Sequence, residues 1–281
     1  MPSPSSKIAF SIGGFDIMWY GILVAVAIAL CVFLPMVRAK SHGMDSDRVL
    51  NYGIVVVVAG IIGARLYYVA FNWDYYGEDL ARIFATREGG LAIHGGLLFG
   101  ALGAIILARR YRENVLNLFD LAFTSVPLGQ AVGRWGNYFN QEAHGGPTDL
   151  PWGLMIDGEK VHPTFLYESI WCFLLFLFLL LVIEPRRRFV GQTFLLYTFL
   201  YSAERFFVEG LRTDSLMLGP LRQAQVLSVV AAILAVIGYA ILYRRAKRSG
   251  RAAALDTQPA DGSAALDARP ADESAAMPTA D

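Results

Sequence analysis

Gly133-Arg134-Trp135-Gly136-Asn137-Tyr138-Phe139-Asn140-Gln141-Glu142 runs straight out of an apolar stretch, yet it carries an arginine, two asparagines, a glutamine and a glutamate. A soluble loop holds such residues without comment. At the end of a membrane helix each polar group needs a partner or a task, because hydrocarbon offers neither. Whether the surrounding chain spans a membrane therefore decides how these ten residues are read.

Composition answers that first. The 281 residues are 55% hydrophobic and only 17% charged, against about 25% charged for soluble domains. Mean hydropathy is +0.44. A hydrocarbon core of about 30 Å needs roughly 20 helical residues. Seven segments qualify, near 17–37, 51–72, 91–108, 117–138, 164–183, 191–209 and 223–243. The fourth is interrupted by Asp120, Pro127 and Arg134, and the sixth holds Glu204 and Arg205. The expectation is an all-α polytopic membrane protein of about seven transmembrane helices, with one membrane-embedded domain over residues 1–248. Only Lys7 precedes the first apolar run, and no small-residue cleavage site follows it, so the run is expected to stay as a helix.

The loops set the orientation. One alternating set contains Arg38, Lys40 and Arg48, then Arg109, Arg110 and Arg112, then Arg186 to Arg188, then five more after residue 243, for 14 basic residues. The other set, with the N-terminus, contains six. Basic loops favour the cytoplasm, so the N-terminus is expected outside and the C-terminus in the cytoplasm. Residues 249–281 hold two of the 24 basic and six of the 24 acidic side chains, which leaves 22 and 18 before them. That excess is too mild for a nucleic-acid partner. Ala253–Ser263 recurs as Ala264–Ser274 with eight of eleven positions matching and Pro in each copy. The segment 249–281 is therefore expected to be a disordered cytoplasmic tail. Cys31 and Cys172 lie inside apolar runs, and the four histidines show no ligand spacing, so no metal is expected.

Only three basic residues fall inside the expected spans: Arg65, Arg134 and Arg205. The orientation puts Arg134 and Arg205 near the outer ends of the fourth and sixth spans, and Arg65 two-thirds of the way out along the second. His94 sits about 5 Å below the outer boundary at 1.5 Å per residue. Tyr20 begins the first span, and Tyr167 and Glu168 begin the fifth. Gln130, Arg134, Asn137 and Gln141 share one helical face, as do Tyr201, Arg205, Glu209 and Arg212. Guanidinium grips phosphate oxygens bidentately, and a lipid headgroup phosphate lies at this depth. The plainer reading is that Arg134 and Arg205 pair with Glu142, Glu168, Glu204 or Glu209 and only hold helices together. His94 is followed by two glycines, which leave space beside its ring; neutral imidazole can take a proton from a thiol or hydroxyl. No serine elbow, Walker loop, HExxH or aspartate-rich motif is present. An enzyme built this way would use a nucleophile brought by its substrate.

These residues resemble the prolipoprotein diacylglyceryl transferase family. The stretch 133–142 is similar to its G-R-x-G-N-F-x-N-x-E signature. Trp19-Tyr20-Gly21, Gly63-Ala64-Arg65, His94-Gly95-Gly96, Pro147 to Gly153, His162-Pro163-Thr164 with Tyr167-Glu168, and Arg205 to Glu209 with Arg212 follow in order. Tyr138 stands where the family has Phe, and Phe165 where it usually has Gln. The resemblance implies a multi-pass enzyme of the bacterial plasma (inner) membrane, with its active site toward the outer leaflet. It would move the diacylglyceryl group of phosphatidylglycerol to the lipobox cysteine in the signal peptide of a preprolipoprotein, with no cofactor. In that frame His94 takes the thiol proton, and Arg134 and Arg205 hold the phosphate as glycerol phosphate leaves. Asn137 and Glu142 orient the headgroup or Arg134, Glu209 orients Arg205, and Tyr20 and Tyr201 wall the pocket. Arg65 and Arg212 are further substrate-binding candidates. A transporter of anionic solutes would instead spread polar groups along a whole path and show inverted-repeat symmetry, which is not evident. A non-catalytic scaffold would leave the polar layer unexplained.

Overall fold

The stretch 133–142 closes a central helix of 26 residues in a mostly helical bundle. The computed structural model describes residues 1–85 and 89–250; the tail expected at 249–281 lies outside them from residue 251 on. The helices are α1 (Trp19–Arg38), α2 (Ser46–Phe71), a single turn α3 (Trp73–Tyr76), α4 (Ile93–Tyr111), α5 (Val115–Asn140), α6 (Thr164–Phe178), α7 (Gln192–Leu211) and α8 (Gln223–Arg248). Caps mark several ends. Asp45 accepts from the amides of Asp47 and Arg48 at 2.9 and 3.1 Å, and Asn114 from those of Leu116 and Asn117 at 2.9 and 3.3 Å. Gln141, at φ 56°, ends α5 in the left-handed region.

Among the described residues six helices are long and apolar enough to cross a membrane: Trp19–His42, Ser46–Phe71, Ile93–Tyr111, Val115–Asn140, Thr164–Arg186 and Gln223–Arg248. The chain is a multi-pass membrane protein. The seventh expected span, 191–209, coincides with α7, whose 20 residues form a helix but do not reach that apolarity. Glu204, Arg205 and Glu209 account for the shortfall.

The fold is not purely helical. Three short antiparallel hairpins lie outside the helices: β1 (Ile8–Ile12) with β2 (Phe15–Met18), β3 (Leu154–Ile156) with β4 (Glu159–Val161), and β5 (Met217–Leu218) with β6 (Leu221–Arg222). Gly13-Gly14 and Asp157-Gly158 make two-residue turns with positive φ at both positions, the geometry that matches strand twist.

Helix pairing places the polar residues. Helix α5 packs on α1, α6 and α7, while α4 packs chiefly on α2. A Cβ on Gly63 would collide with the Phe99 ring, and one on Gly95 with the Gly63 carbonyl, so the glycines let α2 and α4 approach closely. At the end of α5 remote from Arg134, Asp120 accepts from the backbone amides of Gly191 at 2.6 Å and Phe194 at 3.0 Å. A carboxylate of α5 therefore caps α7. Beside it Glu184, set by a π turn over Leu179–Ile183, accepts from Arg38 and His42, both at 2.9 Å, and from Thr193 at 2.7 Å. These bonds fix α5 against α7 about 21 Å below Arg134, at 1.5 Å per residue.

Candidate active site

With α5, α6 and α7 held in that register, Arg134 and Arg205 face each other across one carboxylate. Glu168, in the first turns of α6, is 1% exposed. Its Oε2 forms an ion pair with Arg134 Nη2, and its Oε1 accepts from Arg205 Nη1 at 3.0 Å. Arg205 Nη2 also donates to Glu209 Oε2 at 2.6 Å, one turn further along α7. Arg134 Nη2 reaches the Tyr201 hydroxyl at 3.4 Å, and the Tyr201 ring stacks on Tyr197 at 5.5 Å. Tyr197 in turn donates to Gln130 Oε1 at 3.0 Å. The two polar faces read from the sequence thus meet.

The carboxylate between them is what sequence reasoning left out of the candidate set. Glu168 was legible only as one of four acids able to pair with the arginines. A single buried carboxylate holding two guanidinium groups in opposition fixes both side chains without using all their donors. Among the described residues nothing hydrogen-bonds to Arg134 Nε or Nη1, or to Arg205 Nε. Those N–H groups can receive the oxygens of an anion.

The other expected residues fall into three groups. Asn137 Nδ2 and Asn140 Nδ2 donate to Glu142 Oε1 at 3.2 and 3.0 Å, so Glu142 braces the end of α5 and does not pair with Arg134. Tyr20 packs its ring over Gly136, where a Cβ would stand 2.6 Å from it, and Trp19 stacks on Phe139 at 5.0 Å. This stretch of α5 is one wall shared with α1. Arg212 stays beside the site through the loops: it donates to Asp214 at 2.9 and 2.8 Å, and the Arg212 hydrogen bonds hold the Asp214 carboxyl below the usual carboxylate range.

Arg65 and His94 are not gathered in. Arg65 is buried and donates to five backbone carbonyls, of Ile83, Gly89, Gly90, Arg82 and Ala85, at 2.6 to 3.4 Å. Its guanidinium lies 5.0 Å above the Tyr76 ring. Nε and both terminal nitrogens are engaged, so Arg65 anchors the loop that follows α3. His94 is exposed on α4; its ring neighbour is Tyr67 at 6.3 Å. No hydrogen bond or ion pair joins it to Arg134, Glu168 or Arg205. Phe165, the departure from the family pattern, is buried against Trp135 and Tyr138 at 5.4 and 5.2 Å, where it packs the β3–β4 hairpin onto α5.

Residues 7–241 match the prolipoprotein diacylglyceryl transferase family. The chain belongs to this family. Among its relatives, a phosphatidylglycerol–prolipoprotein diacylglyceryl transferase of Clostridioides difficile (strain 630) is 50% identical over 243 residues, 86% of this chain and 98% of the relative. A transferase of the same name from Finegoldia magna is 46% identical over 231 residues, 82% and 93% of the two chains. One from Clostridium botulinum (strain Loch Maree) is 43% identical over 253 residues, 86% and 99%. The family match takes in both arginines, Glu168 and the whole bundle except the last turns of α8.

Proposed function

We propose that the chain transfers the diacylglyceryl group of phosphatidylglycerol to the lipobox cysteine of a preprolipoprotein signal peptide, the first step of bacterial lipoprotein maturation. The thiol sulfur attacks the glyceryl carbon that bears the phosphate. A carbon–sulfur bond forms, the carbon–oxygen bond breaks, and glycerol phosphate leaves. The observation that carries this reading is the opposed arginine pair on Glu168 with N–H donors to spare, within a membrane transferase family.

Arg134 and Arg205 hold the phosphate, and their charge stabilises the negative charge that grows on the leaving oxygen. Glu209 and Tyr201 orient the two guanidinium groups, and Asn137, Glu142 and Tyr20 form the wall toward α1. His94 takes the thiol proton: about 8.5 is the usual thiol pKa, so a base is required near neutrality. It stands exposed on α4 beside Tyr67, on the side this reading gives to the peptide. Arg212 guards the headgroup end. The basic loops support a topology of seven spans, α7 included as an interior helix shielded by α5, α6 and α8, with the C-terminus in the cytoplasm of the bacterium. The site then opens toward the outer leaflet of the plasma membrane. No cofactor enters the reaction.

The test is a reaction of the purified full-length protein with phosphatidylglycerol and a lipobox peptide. Mass gain on the cysteine with release of glycerol phosphate is expected, and none with a Cys→Ser peptide. Phosphatidylglycerol left intact in the presence of the cysteine peptide would overturn the assignment.

A further inference from the structure

Arg222 stands where β6 passes into α8, outside the group of side chains around Glu168, yet it ends on the helix that carries Arg205. Among the described residues its hydrogen bonds all come from one nitrogen. Nη1 donates to the backbone carbonyl of Glu209, to that of Arg212 at 2.7 Å and to Ser215 Oγ at 3.2 Å. Three residues on, Gln225 Nε2 donates to the Phe206 carbonyl at 3.0 Å. The carbonyls of 206, 209 and 212 are also spaced by three, so two side chains at the start of α8 follow α7 turn by turn to its end.

Helix termini leave carbonyls without intrahelical partners, and a cation there also meets the negative end of the helix dipole. Backbone amides serve part of this terminus: Leu211 O accepts from Gly146 N at 3.1 Å and Glu209 O from Arg212 N at 3.3 Å. What separates Arg222 from an ordinary cap is what the capped turn holds. Glu209 is buried and presents its carboxylate to Arg205 Nη2 at 2.6 Å, and Arg205 in turn meets Glu168 at 3.0 Å. Arg212 is the other residue whose carbonyl it binds, and its side chain stands beside the site. One guanidinium nitrogen thus fixes the backbone of two site residues.

We propose that Arg222, with Gln225, is a positioning residue for the arginine grip, acting through Glu209 and Arg212 without touching the substrate. The inference rests on the proposed transfer reaction. The chemistry of the contact sets Arg222 apart from Arg134. Arg134 needs its planar fork to span Glu168 and an anion, whereas Arg222 turns one nitrogen toward oxygens gathered around it. A lysine ammonium is one nitrogen with three donors and can serve the same oxygens. Arg222→Lys should therefore preserve function where Arg134→Lys does not.

The first arm of the test uses no substrate and does not depend on the transferase reading. The amides of Gly146 and Arg212 bond to carbonyls of the last α7 turn. Their exchange in the full-length protein should accelerate about tenfold in Arg222→Met and stay near wild type in Arg222→Lys. Unchanged exchange in Arg222→Met overturns the clamp. The second arm measures transfer from phosphatidylglycerol to a lipobox peptide, at a temperature where each variant is folded. A misplacement of about 1 Å costs roughly 100-fold in rate, so Arg222→Met, which frees one end of α7, should lower kcat/KM by at least about tenfold, and Arg222→Lys by less than about threefold. In a Glu209→Gln background Arg222→Met should cost clearly less, because its route to Arg205 is already cut. Equal losses in both backgrounds, or Arg222→Lys as impaired as Arg222→Met, overturn the positioning role. If Arg222→Met does not fold, Arg222→Lys against Arg134→Lys decides: equal impairment of the two overturns the proposal. A wild-type protein that transfers nothing refutes the transferase reading and leaves the exchange result standing.

Discussion

Replacing Glu168 by Gln tests the centre of the site with almost no change in volume. The carboxylate is 1% exposed and serves two guanidinium groups, one on each oxygen. Glutamine keeps one acceptor oxygen and turns an NH2 toward the other arginine. Arg205 retains Glu209 at 2.6 Å. Arg134 retains only the Tyr201 hydroxyl at 3.4 Å, so the loss falls mainly on Arg134. Removing one partner of a buried ion pair costs about 3–5 kcal/mol. Taking about 3 kcal/mol, because Arg205 keeps a partner, and about 1.4 kcal/mol per factor of ten, kcat/KM should fall by roughly 100-fold. The assay is transfer to a lipobox peptide under substrate-limited conditions, with thermal unfolding in detergent measured in parallel. A well-folded Glu168→Gln protein within about twofold of wild-type kcat/KM would refute the bridging role.

Four further outcomes follow from the geometry. Arg134→Lys should behave nearly as Arg134→Ala in transfer kinetics, because a single ammonium cannot span Glu168 and an anion at once; near wild-type activity of the lysine variant would contradict this. Arg65→Ala removes five hydrogen bonds to carbonyls, so amide exchange over residues 79–85 should accelerate by at least about tenfold. Gly63→Ala drives a methyl into Phe99 and the Gly95 carbonyl and should destabilise the protein by about 1–3 kcal/mol, read from thermal unfolding. The Arg212 bonds lower the Asp214 carboxyl, so their stabilising contribution is full above the ordinary carboxylate range and disappears as pH falls through the lowered value; protease protection of the 212–222 loop should follow that direction and lose it in Asp214→Asn.

Much of this was open to inspection in the chain itself. Length and apolarity located each long helix, and helical spacing grouped Arg134 with Gln130 and Asn137, and Arg205 with Tyr201 and Glu209. Periodicity reports which residues share a face, not which faces meet, so the choice of Glu168 among four acids needed the packing of α6 between α5 and α7. The same limit explains His94: its depth matched the arginines, but α4 packs on α2 through Gly63 and Gly95, which leaves the ring beside Tyr67. Arg65 looked like an anion ligand from its depth in the second span, whereas backbone carbonyls satisfy it. The hairpins had turn signals in Gly13-Gly14 and Asp157-Gly158, but strands of two to five residues are too short to show alternation. The capping of α7 by Asp120 joins residues 71 positions apart, beyond any local pattern.

The claim on which the rest depends is that Arg134 and Arg205 together grip the phosphate. Phosphorus NMR of phosphatidylglycerol titrated with the full-length protein measures that contact directly. The arginine pair should shift and broaden the phosphate resonance, Arg134→Ala and Arg205→Ala should each weaken the effect, and the double variant should abolish it. An unaltered response in the folded double variant would contradict the two-arginine grip.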